Sequence, residues 1–270
     1  MFRSFAAAAS AALLLAACSK TPEDLTARYT MGGQPGAMTI KAAANGDARV
    51  EMMGSAMVRH NGVDYLVGKD AQGSFAAKVD DFIGLAADAM REAGFKPGPL
   101  GPQPAYDLVK GGSETIADVK GDVWEIKPGK DAPAAPQKMD AVVSEDPTYA
   151  NVGKALMMQT RLASVSQEQM RGGVGSLEKK VQELLGKGMV LRFGSDVKLD
   201  KIEKTKFEAN TFELPKPVLD RAALKARLDA RRAAEAKMAP QMNGPVPPAQ
   251  GAAPAPAPAA PAPAPTAPAK

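Results

Sequence analysis

Between residues 24 and 79 the chain is a succession of short segments, each alternating apolar and polar residues and each closed by turn chemistry. Few architectures accept that pattern. Residues 25–31 read as a strand, and so do residues 37–44, where Met38, Ile40 and Ala42 share a face. Asn45-Gly46-Asp47 reads as a turn and residues 49–52 as a third strand. Segments 56–60 and 63–68 flank Asn61-Gly62, a pair suited to the two positive φ angles of a type I′ hairpin. After a turn at 70–73, residues 74–79 place Phe75, Ala77 and Val79 on one side. Successive hairpins of this kind build an antiparallel meander.

The period then changes. Phe82, Ile83, Ala86 and Met90 recur at helical spacing behind Asp80 and Asp81, which suit the N-cap and first turn, and Gly94 can end the helix. A proline-rich loop spans 97–104. Strands are expected at 106–110, 114–119 and 122–127, with Gly121 as the turn between the last two, and again at 139–144. Residues 150–170 read as a helix carrying Val152, Ala155, Leu156, Leu162 and Ala163. A glycine-rich break follows at 172–175. Ser176 then caps a second helix with a Leu177, Val181, Leu184, Leu185 stripe. Strands return at 189–193, 197–202 and 205–212. These parts predict an α+β fold: a curved antiparallel sheet of about nine to eleven strands, an incomplete barrel with helices packed on its concave face.

The two ends differ from this middle. Arg3 precedes a short apolar run that closes in Leu15-Ala16-Ala17-Cys18, and Cys18 is the single cysteine of the chain. That is the plan of a secretory signal, too short to span a bilayer. At the other end, residues 239–270 hold eleven of the 23 prolines and neither an acidic nor an aromatic residue. Such a segment cannot bury a core and reads as a disordered, polyproline II-like tail. Before it, residues 217–238 read as an alanine-rich helix with Pro217 in its first turn. Its basic residues Arg221, Lys225, Arg227, Arg231, Arg232 and Lys237 either touch anionic headgroups or form a solvated face. The expected division is a signal at 1–17, a linker at 18–24, one domain at 25–216, the helix at 217–238 and the tail at 239–270.

Composition narrows the chemistry. One Cys leaves no disulfide or Cys-based zinc cluster, and one His leaves no multi-histidine metal site. A net charge of +4 over 270 residues does not by itself imply nucleic-acid binding. His60 sits directly before a hairpin turn, and Asp80 and Asp81, being adjacent on a helix, do not face each other. No catalytic residue, metal or cofactor is therefore expected, and the protein is read as a non-enzyme. Methionine is the positive signal, at 14 residues. Flexible and polarisable, it suits adaptable apolar surfaces, and it equally fills a core poor in aromatics. The residues expected to line an apolar cavity are Met38, Ile40, Met52, Phe75, Met157, Leu177 and Leu184.

Leu15-Ala16-Ala17-Cys18 resembles the lipobox of bacterial lipoprotein precursors. That resemblance implies diacylglycerol on the Cys18 sulfur, cleavage before Cys18 and acylation of its new amino group. With Ser19 rather than Asp following, it implies the outer membrane, facing the periplasm. The order of elements resembles the LolA/LolB-like lipoprotein-carrier fold. It is carried by the repeated short strands, Gly121-Asp-Val-Trp124-Glu-Ile-Lys127, the paired helices, and Gly188-Met-Val-Leu-Arg-Phe193 with Phe212-Glu-Leu-Pro215. It implies a membrane-anchored lipoprotein that holds an acyl chain, a lipid or a lipidated partner. The competing expectation is a tether whose Ala/Pro tail reaches the cell wall or an envelope protein.

Overall fold

The structure is a computed structural model that describes residues 20–96, 98, 101–130, 139–171 and 174–242. The meander predicted for the first third is present. Strands β1 (Leu25–Met31), β2 (Gln34–Ala42), β3 (Ala48–Met52), β4 (Ser55–His60), β5 (Val63–Asp70) and β6 (Gly73–Lys78) follow one another as antiparallel neighbours. The turn between β4 and β5 is set by Asn61 and Gly62, with φ of 50° and 77°, as a type I′ hairpin requires. Helix α1 (Val79–Glu92) continues directly from β6.

Strands β7 (Tyr106–Ile116), β8 (Val119–Pro128) and β9 (Met139–Ser144) form the second antiparallel set. A single 3-10 turn, Pro147–Tyr149, leads into α2 (Ala150–Arg171). Then come α3 (Ser176–Leu185), β10 (Met189–Phe193), β11 (Val197–Lys204), the two-residue β12 (Val218–Leu219) and α4 (Arg221–Met242). All strands join one sheet in the order β12-β6-β5-β4-β3-β2-β1-β11-β10-β9-β8-β7, whose end strands do not pair with each other. The class is α+β and the sheet is open.

The core follows from strand alternation. Tyr29 of β1, Met38 and Ile40 of β2, Val50 of β3 and Met57 of β4 are almost fully buried. They share one cluster with Val152, Ala155 and Met158 of α2 and Leu184 of α3. Helix α2 packs against β2, β3, β4 and β10, α1 against β5 and β6, and α3 against β7 and β8. A second, small cluster joins Ala43, Val58 and Phe212, with Val67, Phe207 and Leu214 packed on it.

Several expectations are corrected. Among the described residues the sheet has twelve strands and is mixed, because β12 pairs in parallel with β6. Gly121 is not a turn. The turn is Ala117-Asp118, with φ of 49° and 63°, and Gly121 lies inside β8. A Cβ there would stand 2.8 Å from Val142 Cγ1 and 2.9 Å from the Val143 carbonyl oxygen, so glycine serves close packing. Segments 106–110 and 114–116 are one strand, β7, with a register shift between Lys110 and Ser113. Residues 205–212 form no strand. Turns bonded from Thr211 N to Glu208 O and from Glu213 N to Asn210 O break the ladder, and Phe207 and Phe212 meet edge to face at 5.1 Å. Lys78 and Gly175, not Asp80 or Ser176, are the N-caps of α1 and α3; Asp80 and Asp81 occupy the first turn of α1. Pro217 precedes β12, and Asp220 caps α4 by accepting from Ala223 N at 2.8 Å.

The chain divides into two compact units, 1–225 and 226–270. The described part of the second is the remainder of α4, where Arg231 pairs with Glu235 and Arg232 with Asp229. Cys18, the lipobox and residues 243–270 of the expected tail lie outside the described residues.

Candidate functional site

A cavity of about 400 Å³ opens beside the β4–β5 hairpin and α2. The hairpin register places Arg59 directly opposite Asp64. Their side chains form a two-point ion pair in the cavity wall, Nε to Oδ1 at 2.7 Å and Nη2 to Oδ2 at 3.0 Å. Only 9% of the Asp64 side chain is exposed, so both of its oxygens are occupied and largely shielded.

Helix α2 supplies the facing wall. Residues 154, 157, 158 and 161 recur at helical spacing and so share one side. Met158 is 1% exposed and forms a floor, whereas Met157 is 39% exposed. Thr160 also lines the space, its hydroxyl donating to the Met157 carbonyl at 3.0 Å. Arg161 reaches Asp80 of α1 at 2.8 Å, an open pair with 53% and 72% side-chain exposure. Lys154 lines the cavity with no ion pair among the described residues. Ser164, and Gln182 from α3, complete the lining. The lining thus combines two methionines with three basic, one acidic and three neutral polar side chains.

Of the residues expected from sequence to line a cavity, Met157 does so here. Met38, Ile40 and Leu184 are at most 2% exposed and belong to the main core, and Met52 and Leu177 pack against it. Phe75 is buried against Gly68, where a Cβ would meet its ring at 2.4 Å. Arg59, Asp64, Lys154 and Arg161 were not anticipated. The spacing of Lys154, Met157, Met158 and Arg161 was readable, yet isolated charges on a helix resemble an ordinary solvated face.

The other candidate groups are placed as follows. His60 Nδ1 lies 3.5 Å from Asp47 Oδ2, and Asp47 Oδ1 accepts from Asn61 N at 2.9 Å. Trp124 lies under the Lys187 ammonium at 4.2 Å from the ring centroid, a cation–π contact. Among the described residues no group of three or more His, Cys, Asp or Glu could hold a metal ion, and no helix is long and apolar enough to cross a membrane.

Residues 20–24, the described part of the linker expected at 18–24, are bonded to the domain. Lys20 pairs with Asp146, and this hydrogen bond holds the Asp146 carboxyl below its ordinary pKa. Lys204 pairs with Glu23, Asp24 Oδ1 accepts from Ala44 N at 2.7 Å, and Thr205 N donates to the Asp24 carbonyl. Asn151 of α2 donates to the Ala43 carbonyl at 2.8 Å. One turn further along α2 stands Lys154 on the cavity rim.

The fold and cavity thus define an α+β protein with an open sheet and an amphipathic pocket. No protein-family model, curated protein or solved structure matches the chain.

Proposed function

We propose that this chain is a non-enzymatic, lipid-anchored lipoprotein of the bacterial envelope whose domain holds an acyl chain, a lipid or a lipidated partner. The observation that carries the reading is Met157, an apolar side chain turned to a cavity rather than to the core. The cavity volume falls within the usual range for small-ligand pockets, roughly 300–1,000 Å³. On this reading the open sheet is curved, an incomplete barrel with the helices on its concave face, as in LolA/LolB-like carriers. Cys18 carries the lipid and Ser19 directs the protein to the outer membrane, facing the periplasm. Because Lys20 is already bonded to the domain, Cys18 and Ser19 alone would separate lipid from fold, a reach of about 7 Å. The lipid would hold the end of the domain that carries Lys20, Asp146 and Asn45 against the bilayer.

Native mass spectrometry of the protein extracted in mild detergent tests the cargo, and fractionation with acyl-labelling tests the anchor. Apolar ligand is expected to co-purify. Cys18→Ser is expected to lose label and leave the membrane fraction. An empty protein, or a membrane-bound Cys18→Ser variant, overturns the corresponding half. The proline-rich composition of residues 239–270 favours a second reading, a tether to the cell wall or an envelope partner. A tether loses its partner when 239–270 are deleted, whereas a cavity binder keeps its ligand.

A further inference from the structure

We infer that the cavity selects a single-chain amphiphile with an anionic head group, a carboxylate or a phosphate. The head sits at Lys154 and Arg161 and the chain lies on Met157 and Met158. This rests on the lipid-handling reading above and names the chemistry of the same site.

Arg59, Lys154 and Arg161 are lining cations that only donate and Asp64 is the one lining carboxylate, whereas Ser164 and Gln182 can donate or accept and the Thr160 O–H is spent on the Met157 carbonyl. The charge of Asp64 is matched by Arg59, which bonds both of its oxygens. With the Arg59–Asp64 pair neutral as a unit, Lys154 and Arg161 give the lining an excess of positive charge. A cationic head group would be repelled by Lys154 and Arg161, and a neutral one would leave Lys154 without a counter-charge among the described residues.

Arg161 does have a competitor in Asp80, but 72% of that carboxylate is exposed. An open pair contributes little, so exchanging Asp80 for a ligand anion costs little. Lys154 needs no exchange among the described residues. Both cations lie on the same side of α2 as Met157 and Met158, which puts the charged and apolar subsites next to each other, as an amphiphile requires. A volume of about 400 Å³, near the lower end for ligand pockets, suits one chain better than two.

The test uses the full chain as Cys18→Ser, which cannot be acylated at that sulfur. Dodecanoate, dodecyl phosphate, dodecanol, dodecyltrimethylammonium and inorganic phosphate are titrated below their micelle concentrations by calorimetry. At least one of the two anionic amphiphiles is expected to bind about tenfold more tightly than dodecanol, with the ammonium weakest. The tighter of the two names the head group. Lys154→Ala and Arg161→Ala should each bring the anion down toward the dodecanol level, Lys154→Arg should restore it, and circular dichroism should be unchanged in all three. Dodecanol binding as tightly as both anions overturns the head-group inference and leaves chain binding standing. Inorganic phosphate binding as tightly as dodecyl phosphate overturns the amphiphile. Absence of binding by every chain-bearing probe overturns the lipid-handling reading itself.

Discussion

At Tyr29 a single hydroxyl couples the core to pH. The side chain is completely buried and its hydroxyl donates to the Val190 carbonyl at 2.9 Å, tying β1 to β10 across β11. Burial raises the phenol well above its ordinary pKa, because a phenolate there would be desolvated. The folded state therefore keeps the proton where the unfolded chain loses it. The contribution is intact below pH about 10 and declines above it, by about 1.4 kcal/mol per pH unit, until the folded group also ionises. Tyr29→Phe should cost about 1 kcal/mol at pH 7 from the lost hydrogen bond. It should also flatten the fall in urea midpoint between pH 9.5 and 11. Equal alkaline slopes for the two proteins would refute this account.

Among the elements, α2 crosses close to the backbone that leads into β10. A Cβ on Gly153 would lie 2.7 Å from the Gly188 carbonyl oxygen, and one on Gly188 would lie 2.1 Å from the Ser144 carbonyl oxygen. Backbone rather than a movable side chain stands in the way. Gly153→Ala would add about 1 kcal/mol of helix propensity in isolation. Here it should instead destabilise by roughly 1–3 kcal/mol, read as a lowered Tm, because helix and strand must separate. The same contrast explains what the sequence did and did not disclose. Hairpins such as Asn61-Gly62 were legible because their turn chemistry is local. Ala117-Asp118 was missed because alanine rarely adopts a positive φ and no glycine accompanies Asp118, and Gly121 was misread because its reason is a neighbour on another strand. Segment 205–212 has strand composition, yet its phenylalanines cover Val58 and Ala43 as irregular chain. At the cavity, periodicity identified apolar side chains but not which of them lacked a neighbour. Met38 and Met157 look alike in the sequence and differ only once α2 is docked.

The whole molecule has a seam. Strand β1 lies between the first meander, β2 to β6, and strands β11 to β7, so both halves meet on its two edges. Leu199 of β11 is 1% exposed and stands opposite Tyr29. Leu199→Asp buries a charge in that seam and should cost roughly 4 kcal/mol or more. The same change at Val109, 39% exposed on the end strand β7, should cost far less. Urea unfolding of the two variants checks the ranking; comparable losses would mean that the halves are stable separately.

The register partners Leu25 and Lys204 stand 179 positions apart. A strand made among the first is thus completed among the last. At ribosomal rates of about 5–20 residues per second, β1 waits on the order of ten to thirty-five seconds for β11. Throughout that interval one of its edges is bare and the core residues on it have only half their neighbours. The topology thus builds in a delay during which the nascent chain remains unfinished, long enough for a chaperone to take hold of it before the first strand gains its second neighbour.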